Sequence, residues 1–113
     1  MGVKIRTTDW VPFEVSEAIK KLGANIRRAR VRRRISQEEL AQTCHIGRKT
    51  MYAVEKGTSG MAIGTILSVL WSLGLLDSAA NLADPDTDEH GKILEAARQT
   101  KRVRHSVKID NDF

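Results

Sequence analysis

Hydrophobic positions recur every three or four residues along most of this chain, and this spacing predicts helices. Between Glu14 and Arg34 the spacing forms one apolar stripe, made of Val15, Ile19, Leu22, Ile26 and Ala29. Such a stripe is typical of an amphipathic helix that packs one face on a core. We therefore predict a first helix over residues 14–34, in which Gly23 is a candidate break between a weak leading turn and a firm second part.

Two short helices are predicted next, with well-marked ends. Ser36 offers an N-cap hydroxyl, and Glu39 three positions later completes the pattern of a capping box. The second helix then covers residues 37–43, and the segment 44–47 breaks it before a third helix over residues 48–56. Gly57 is the expected C-terminal cap of the third helix.

Further helices are predicted over residues 62–73, 76–82 and 88–99, with a turn at Asp84-Pro85-Asp86. No strand has an evident pairing partner, and the tail after Lys101 is expected to be either disordered or an extended strand. The fold class is therefore all-α. We divide the chain into an N-terminal arm (1–13), a helical domain (14–83) and a C-terminal extension with a tail (84–113).

The charge of the chain is unevenly distributed. Residues 1–57 carry thirteen lysines and arginines against six acidic residues, whereas residues 58–91 carry five acidic residues and no lysine or arginine. The net charge of the whole chain is +5. A basic half beside an acidic segment is expected where one surface meets a polyanion, and the alternative is a basic surface that is simply solvated.

The segment from Ser36 to Gly57 resembles the helix-turn-helix of the phage-repressor-like (Xre/Cro) family. The resemblance rests on the runs Ser-Gln-Glu-Glu-Leu-Ala (36–41), Ile-Gly-Arg-Lys-Thr-Met (46–51) and Val-Glu-Lys-Gly (54–57), and it covers about residues 22–76. It implies a five-helix domain that represses transcription as a dimer on double-stranded operator DNA. In this motif the second of the two short helices lies in the major groove.

The resemblance also implies which residues face DNA. Ser36 and Gln37 match the helix end that faces phosphate, and the recognition helix and its start supply Gly47, Arg48, Lys49, Tyr52 and Ala53. His45 stands where the family commonly has glycine, and histidine tolerates the left-handed backbone that this turn needs. Arg48 and Lys49 are expected either to bind the O6 and N7 atoms of guanine or to contact phosphate only.

Three arginines of the predicted first helix have other expected roles. In similar repressors an arginine and a glutamate at the positions of Arg30 and Glu55 form a structural pair between the first and third helices. For Arg28 and Arg34 the sequence leaves two interpretations open, contact with phosphate or a solvated face.

The predicted fourth helix and the residues just after it carry more apolar side chains than one core-facing surface can bury. The surplus residues are Val69, Trp71, Leu75 and Leu76, and we assign them to a homodimer interface, with a monomer that buries one tryptophan as the alternative. Near the N-terminus, Trp10 and Phe13 are expected either to pack on the domain or to anchor a partner.

The stretch from Leu82 to Arg104 resembles the C-terminal extension of HipB-type antitoxins, the DNA-binding members of toxin–antitoxin operons. The resemblance implies a HipA-type serine/threonine kinase toxin as partner and repression of the operon's own promoter. A stand-alone regulator of the same helix-turn-helix family is the alternative.

Other classes of function receive little support from the sequence. Cys44 is expected on the buried side of its helix, so a Cys44–His45 nucleophile pair would lose core packing, and the acidic residues near Asp84 lack the spacing of a calcium loop. We predict no catalytic residue, no metal and no cofactor. A single cysteine and the absence of an apolar signal segment or membrane span predict a cytoplasmic protein.

Overall fold

A computed structural model describes the backbone of residues 10–109 and the side chains of residues 10–102. All regular structure in this range is helical, as predicted. The α-helices are α1 (Phe13–Arg32), α2 (Gln37–Thr43), α3 (Arg48–Lys56), α4 (Ile63–Ser72), α5 (Leu76–Ala79) and α6 (Glu89–Ile109), with a 3-10 turn over Pro85–Thr87. Residues 1–9 of the predicted arm and residues 110–113 of the predicted tail lie outside the described range.

The ends of α2 and α3 are those that the local sequence predicts. The amide of Glu39 donates to Ser36 Oγ at 3.0 Å, and the amide of Ser36 donates to Glu39 Oε1 at 3.1 Å. Gly57 ends α3 with φ +80°, and His45 has φ +56° in the turn between the two helices. Both left-handed residues were therefore predicted, whereas the left-handed Arg34 (φ +56°), beyond the end of α1, was not.

The chain divides into two compact units, residues 1–79 and residues 80–113. In the first unit α1 and α2 pack against α3, and α2 also contacts α4. Their inward faces form a single core, made of Ile26, Ala29, Leu40, Ala41, Met51, Val54, Val69, Leu70 and Leu73. Half-buried residues of the loops and of α5, such as Ile35, Ile46 and Ala79, close its edge.

The N-terminal half of α1 differs from the expectation. Val15 and Leu22 were predicted to face the core, but both are exposed, and only Ile26 and Ala29 from the predicted stripe are buried. Gly23 does not divide the helix; it lies buried inside it. A Cβ atom at this position would come within 2.6 Å of the carbonyl oxygens of Val54 and Glu55, so glycine allows α1 to touch the backbone of α3.

The second unit contains the 3-10 turn and α6. The side chain of Asp84 accepts a hydrogen bond from the amide of Asp86, and that of Asp88 accepts one from the amide of Gly91. The predicted sixth helix continues ten residues past Gln99, to Ile109. The expectation of a disordered or extended tail is therefore wrong as far as residue 109, because helical backbone bonds extend through the basic segment.

Candidate nucleic-acid interface

Helix α3 has two faces of opposite character. Its inner face buries Met51, Val54 and Glu55. The side chains of Arg48, Lys49 and Lys56 are exposed, and no acidic residue of α3 accompanies them on the outer face. Successive residues of a helix are about 100° apart around its axis. Arg48, Lys49 and Lys56 therefore fall outside the arc of the buried Met51 and Val54, and they project away from the core. The exposed face is therefore cationic over the whole length of α3.

Tyr52 occupies the middle of this exposed face. Its side chain is 57% exposed, and the ammonium group of Lys56 lies over its ring, 5.8 Å from the ring centre. This distance is within the range of a cation–π contact. Lys56 was not among the residues expected to face DNA, although its spacing of four residues from Tyr52 on a helix could have indicated the contact.

The other residues expected to face DNA vary in exposure. Gly47 precedes α3 with an extended backbone, and it is exposed. Ser36 is exposed at the start of α2, with its oxygen already accepting the amide of Glu39. Ala53 is half-buried, so its methyl group offers less surface than the sequence suggested.

Glu55 is the acidic residue of α3, and it lies inside the unit. Its side chain is 3% exposed and that of Arg30, its partner from α1, is 11% exposed. Arg30 Nε donates to Glu55 Oε2 at 2.6 Å and Arg30 Nη2 donates to Glu55 Oε1 at 3.0 Å. A paired geometry of this kind combines charge attraction with two parallel hydrogen bonds.

Two further hydrogen bonds extend this ion pair to other elements. Arg30 Nη1 donates to the carbonyl oxygen of Ile35 at 2.8 Å, in the loop between α1 and α2. Gln37 Nε2 donates to Glu55 Oε1 at 3.0 Å, which joins the first residue of α2 to α3. Gln37 was expected to face phosphate alone, and the sequence carried no local signal for its bond to Glu55, eighteen residues away.

The structure does not bring Arg28 to the exposed face of α3. Gly23 marks the side of α1 that touches α3, and Arg28 lies about 140° around the helix from it. Arg28 is exposed there, and Arg34 is exposed in the loop that leads to α2. Arg34 lies two residues before Ser36. It belongs to the same loop as Ile35, whose carbonyl oxygen accepts a hydrogen bond from Arg30.

The four residues assigned to a dimer interface separate into two classes. Val69 is fully buried in the core, so it presents no surface to a second chain and its assignment was wrong. Trp71 is 65% exposed on the opposite side of α4, Leu76 is exposed, and Leu75 is half-buried. Ile63, which was not among the predicted interface residues, is exposed two turns before Trp71.

The described residues contain few groups that could bind a metal ion or act as a nucleophile. They contain no cluster of three or more histidine, cysteine or acidic side chains arranged to hold a metal ion. Cys44 is half-buried, and its Sγ lies 3.2 Å from Ser72 Oγ of α4. None of the helices in the described range is both long enough and apolar enough to cross a membrane.

Comparison with known proteins finds no match to this chain among protein-family models, curated proteins or solved structures. The resemblances described above therefore rest on the residues of this chain alone.

The buried ion pair gives a test of how this region is held. We expect Arg30→Met to lower the free energy of unfolding by about 3–5 kcal/mol, because it leaves the Glu55 carboxylate buried without its cation. The measurement is urea unfolding followed by circular dichroism. Lys20→Met is the control, since it removes an exposed pair with Glu17 at 3.6 Å and should change stability by less than about 1 kcal/mol. Equal effects of the two substitutions would contradict the structural role of Arg30.

Proposed function

We propose that this protein is a helix-turn-helix repressor that binds specific sequences in double-stranded DNA through α3. The observation that carries the proposal is the exposed cationic face of α3, with Arg48, Lys49 and Lys56 outside and the helix's own acidic residue buried beneath it. A helix of this charge suits the major groove, which has a negative rim and is wide enough to admit a helix.

The short helix α2 supports the same proposal. It precedes α3 by a four-residue connection, and its first residue, Gln37, is tied to the last turn of α3 by the hydrogen bond to Glu55. Gln37 Nε2 carries two protons and gives one to Glu55, so the second is free to donate to a phosphate oxygen. Ser36 and Arg34 are exposed beside it and are proposed as further phosphate contacts.

Each exposed residue of α3 receives a proposed role from its chemistry. Arg48 and Lys49, at the start of the helix, are assigned to guanine O6 and N7 or to the phosphates beside them. Tyr52 offers a ring edge and a hydroxyl to the bases. Lys56 stands eight residues after Arg48, about 12 Å further along the helix, so it is assigned to phosphate at the far side of the groove.

The first test compares Arg48→Ala with the unchanged protein on DNA chosen by selection from a random duplex pool. If Arg48 reads a base, affinity for the selected sequence should fall by about 1–3 kcal/mol, with a much smaller loss on random duplex. Fluorescence anisotropy with labelled duplexes measures both. Equal losses would make Arg48 a phosphate contact, and a pool without enrichment would contradict specific binding altogether.

The same titrations should show a steep salt dependence. Each cation that meets a phosphate releases counterions, so log affinity should fall linearly with log salt concentration. Affinity that does not change between low and moderate salt would contradict the proposed phosphate contacts.

We propose that the repressor works as a homodimer, with the exposed apolar surface of Ile63, Trp71 and Leu76 at the contact. An exposed tryptophan with aliphatic neighbours is typical of an interface centre. Two-fold symmetry would also match a palindromic operator.

The dimer is tested by Trp71→Ser, which removes the largest side chain of this surface. The dissociation constant of the dimer, from sedimentation equilibrium, should rise at least tenfold, which corresponds to a loss of about 1.4 kcal/mol. Phe13→Ser is the matched control, because Phe13 is an equally exposed aromatic residue at the far end of α1. A dimer unaffected by Trp71→Ser would exclude this surface.

We also propose that the repressor is the antitoxin of an operon that encodes a HipA-type kinase, on the resemblance of its C-terminal extension. Ile93 and Leu94 of α6 are exposed apolar residues that a partner could cover. A tagged chain purified from its host should then retain a kinase-sized protein in stoichiometric amount, identified by mass. Specific DNA binding with no retained protein would favour the alternative, a stand-alone regulator.

A further inference from the structure

Helix α1 carries a second cationic surface, which we call the outer α1 face. It consists of Lys21, Ala24, Arg27, Arg28, Val31 and Arg32, all of them exposed. Their spacing of three or four residues aligns them along the side of the helix that is turned away from Ile26 and Ala29 in the core. Val31 is 50% exposed at the centre of this face, so the cations surround a small apolar floor.

In the described part of the chain, the cations of the outer α1 face form no ion pair with an acidic residue. Arg30 and Arg33, their neighbours in sequence, donate to Glu55 and to the carbonyl oxygen of Ala29. Among the described residues, Arg27, Arg28 and Arg32 take part in no ion pair. Like charges one helical turn apart repel each other, and an anionic partner would relieve that repulsion.

The DNA proposed for α3 is in the wrong place to be this partner. Helix α1 packs on α3 at Gly23, beside Val54 and Glu55, whereas Lys49 lies about 120–140° further around α3 from these two residues. An α-helix with side chains is about 10 Å across, so Arg28 and Arg32, on the side of α1 turned away from Gly23, lie about two helix diameters from DNA on that side of α3. Its occupant should therefore be a different anion.

The chain itself contains a segment with matching chemistry. From residue 58 to residue 91 it has no lysine or arginine, and the acidic residues concentrate in Asp84, Asp86, Asp88 and Glu89. Leu82, just before them, is 67% exposed. Residues 82–89, which we call the acidic segment, thus combine one exposed apolar side chain with a run of carboxylates.

We propose that the outer α1 face binds the acidic segment of a second copy of this chain. Leu82 would cover Val31 and Ala24, and the carboxylates would meet Arg27, Arg28 and Arg32. Because the two surfaces differ, the contact joins the face of one copy to the segment of another, so it can link copies head to tail. The contact would add to the dimer at Trp71 and would connect one dimer to the next.

The test uses the full chain in two charge-changed forms. The face variant carries Arg28→Glu and Arg32→Glu, and the segment variant carries Leu82→Ser and Asp86→Lys. Asp84 and Asp88 are left unchanged because their side chains accept local backbone hydrogen bonds. Arg48→Glu with Lys49→Glu is the control, since it changes charge by the same amount as the face variant on another surface. Circular dichroism checks that each form folds, with Arg28→Gln and Arg32→Gln as the milder substitute.

Sedimentation velocity without DNA, at about 50 mM salt where surface charges are weakly screened, gives the result. The unchanged chain and the control should form species larger than the dimer, and high salt should dissolve them. Each variant alone should form these larger species only at a protein concentration at least tenfold higher. An equimolar mixture should recover the large species, because Trp71 dimers that carry two intact segments can alternate with Trp71 dimers that carry two intact faces.

Two results would overturn the proposal. One is an unchanged chain that stays at the dimer or below in low salt, and the other is a mixture that behaves as the sum of its two variants. In the second case the outer α1 face would bind some other anion, such as duplex DNA or another protein, or the segment of its own chain. Neither result affects the DNA selection experiment, so the two proposals fail independently.

Discussion

The buried pair between Arg30 and Glu55 is the interaction on which the arrangement of the first three helices depends. A carboxylate removed from water is costly unless it is paired and fully hydrogen-bonded. Here Glu55 accepts three hydrogen bonds, two from Arg30 and one from Gln37, and Arg30 gives a further bond to the carbonyl oxygen of Ile35. No buried nitrogen or oxygen in the described side chains lacks a partner. One ion pair therefore constrains α1, the following loop, the start of α2 and the last turn of α3.

Close backbone contact complements this polar constraint. Gly23 lets α1 touch the carbonyl oxygens of α3, and a Cβ atom at Gly57 would come within 2.5 Å of the Cα atom of Lys20. Both glycines lie where α1 and α3 meet, and at Gly57 the left-handed backbone is needed as well. Because these contacts hold α3 from its inner side, its outer side chains remain exposed and can contact a ligand. A helix whose backbone is already rigid loses little backbone conformational entropy when it binds.

The first unit thus presents surfaces of three kinds, each with a different physical signature. The outer side of α3 is cationic with one aromatic ring, the outer side of α4 is apolar around Trp71, and the outer α1 face is cationic around a small apolar floor. Salt should weaken binding at the first and third surfaces, whereas an apolar contact at the second should persist in high salt. This difference allows the proposed DNA, dimer and head-to-tail contacts to be separated by experiment.

The elements whose hydrogen bonds are local could be predicted from the amino-acid sequence. The capping box of Ser36 and Glu39 and the left-handed Gly57 and His45 involve residues within a few positions of one another, so α2 and α3 begin and end where the pattern predicts. Arg48 and Lys49 of α3 were also named in advance, on the resemblance of residues 36–57 to a helix-turn-helix, whereas Lys56 was not.

The side of each remaining helix that is covered depends on how the helices pack together. Val69 and Trp71 are both apolar and two positions apart, yet one is buried and the other exposed, and Val15 continues the α1 stripe but is exposed. The bond from Gln37 to Glu55 likewise joins residues eighteen positions apart. Burial and such bonds depend on which distant segment packs nearby, and the periodicity of a single helix carries no information about that.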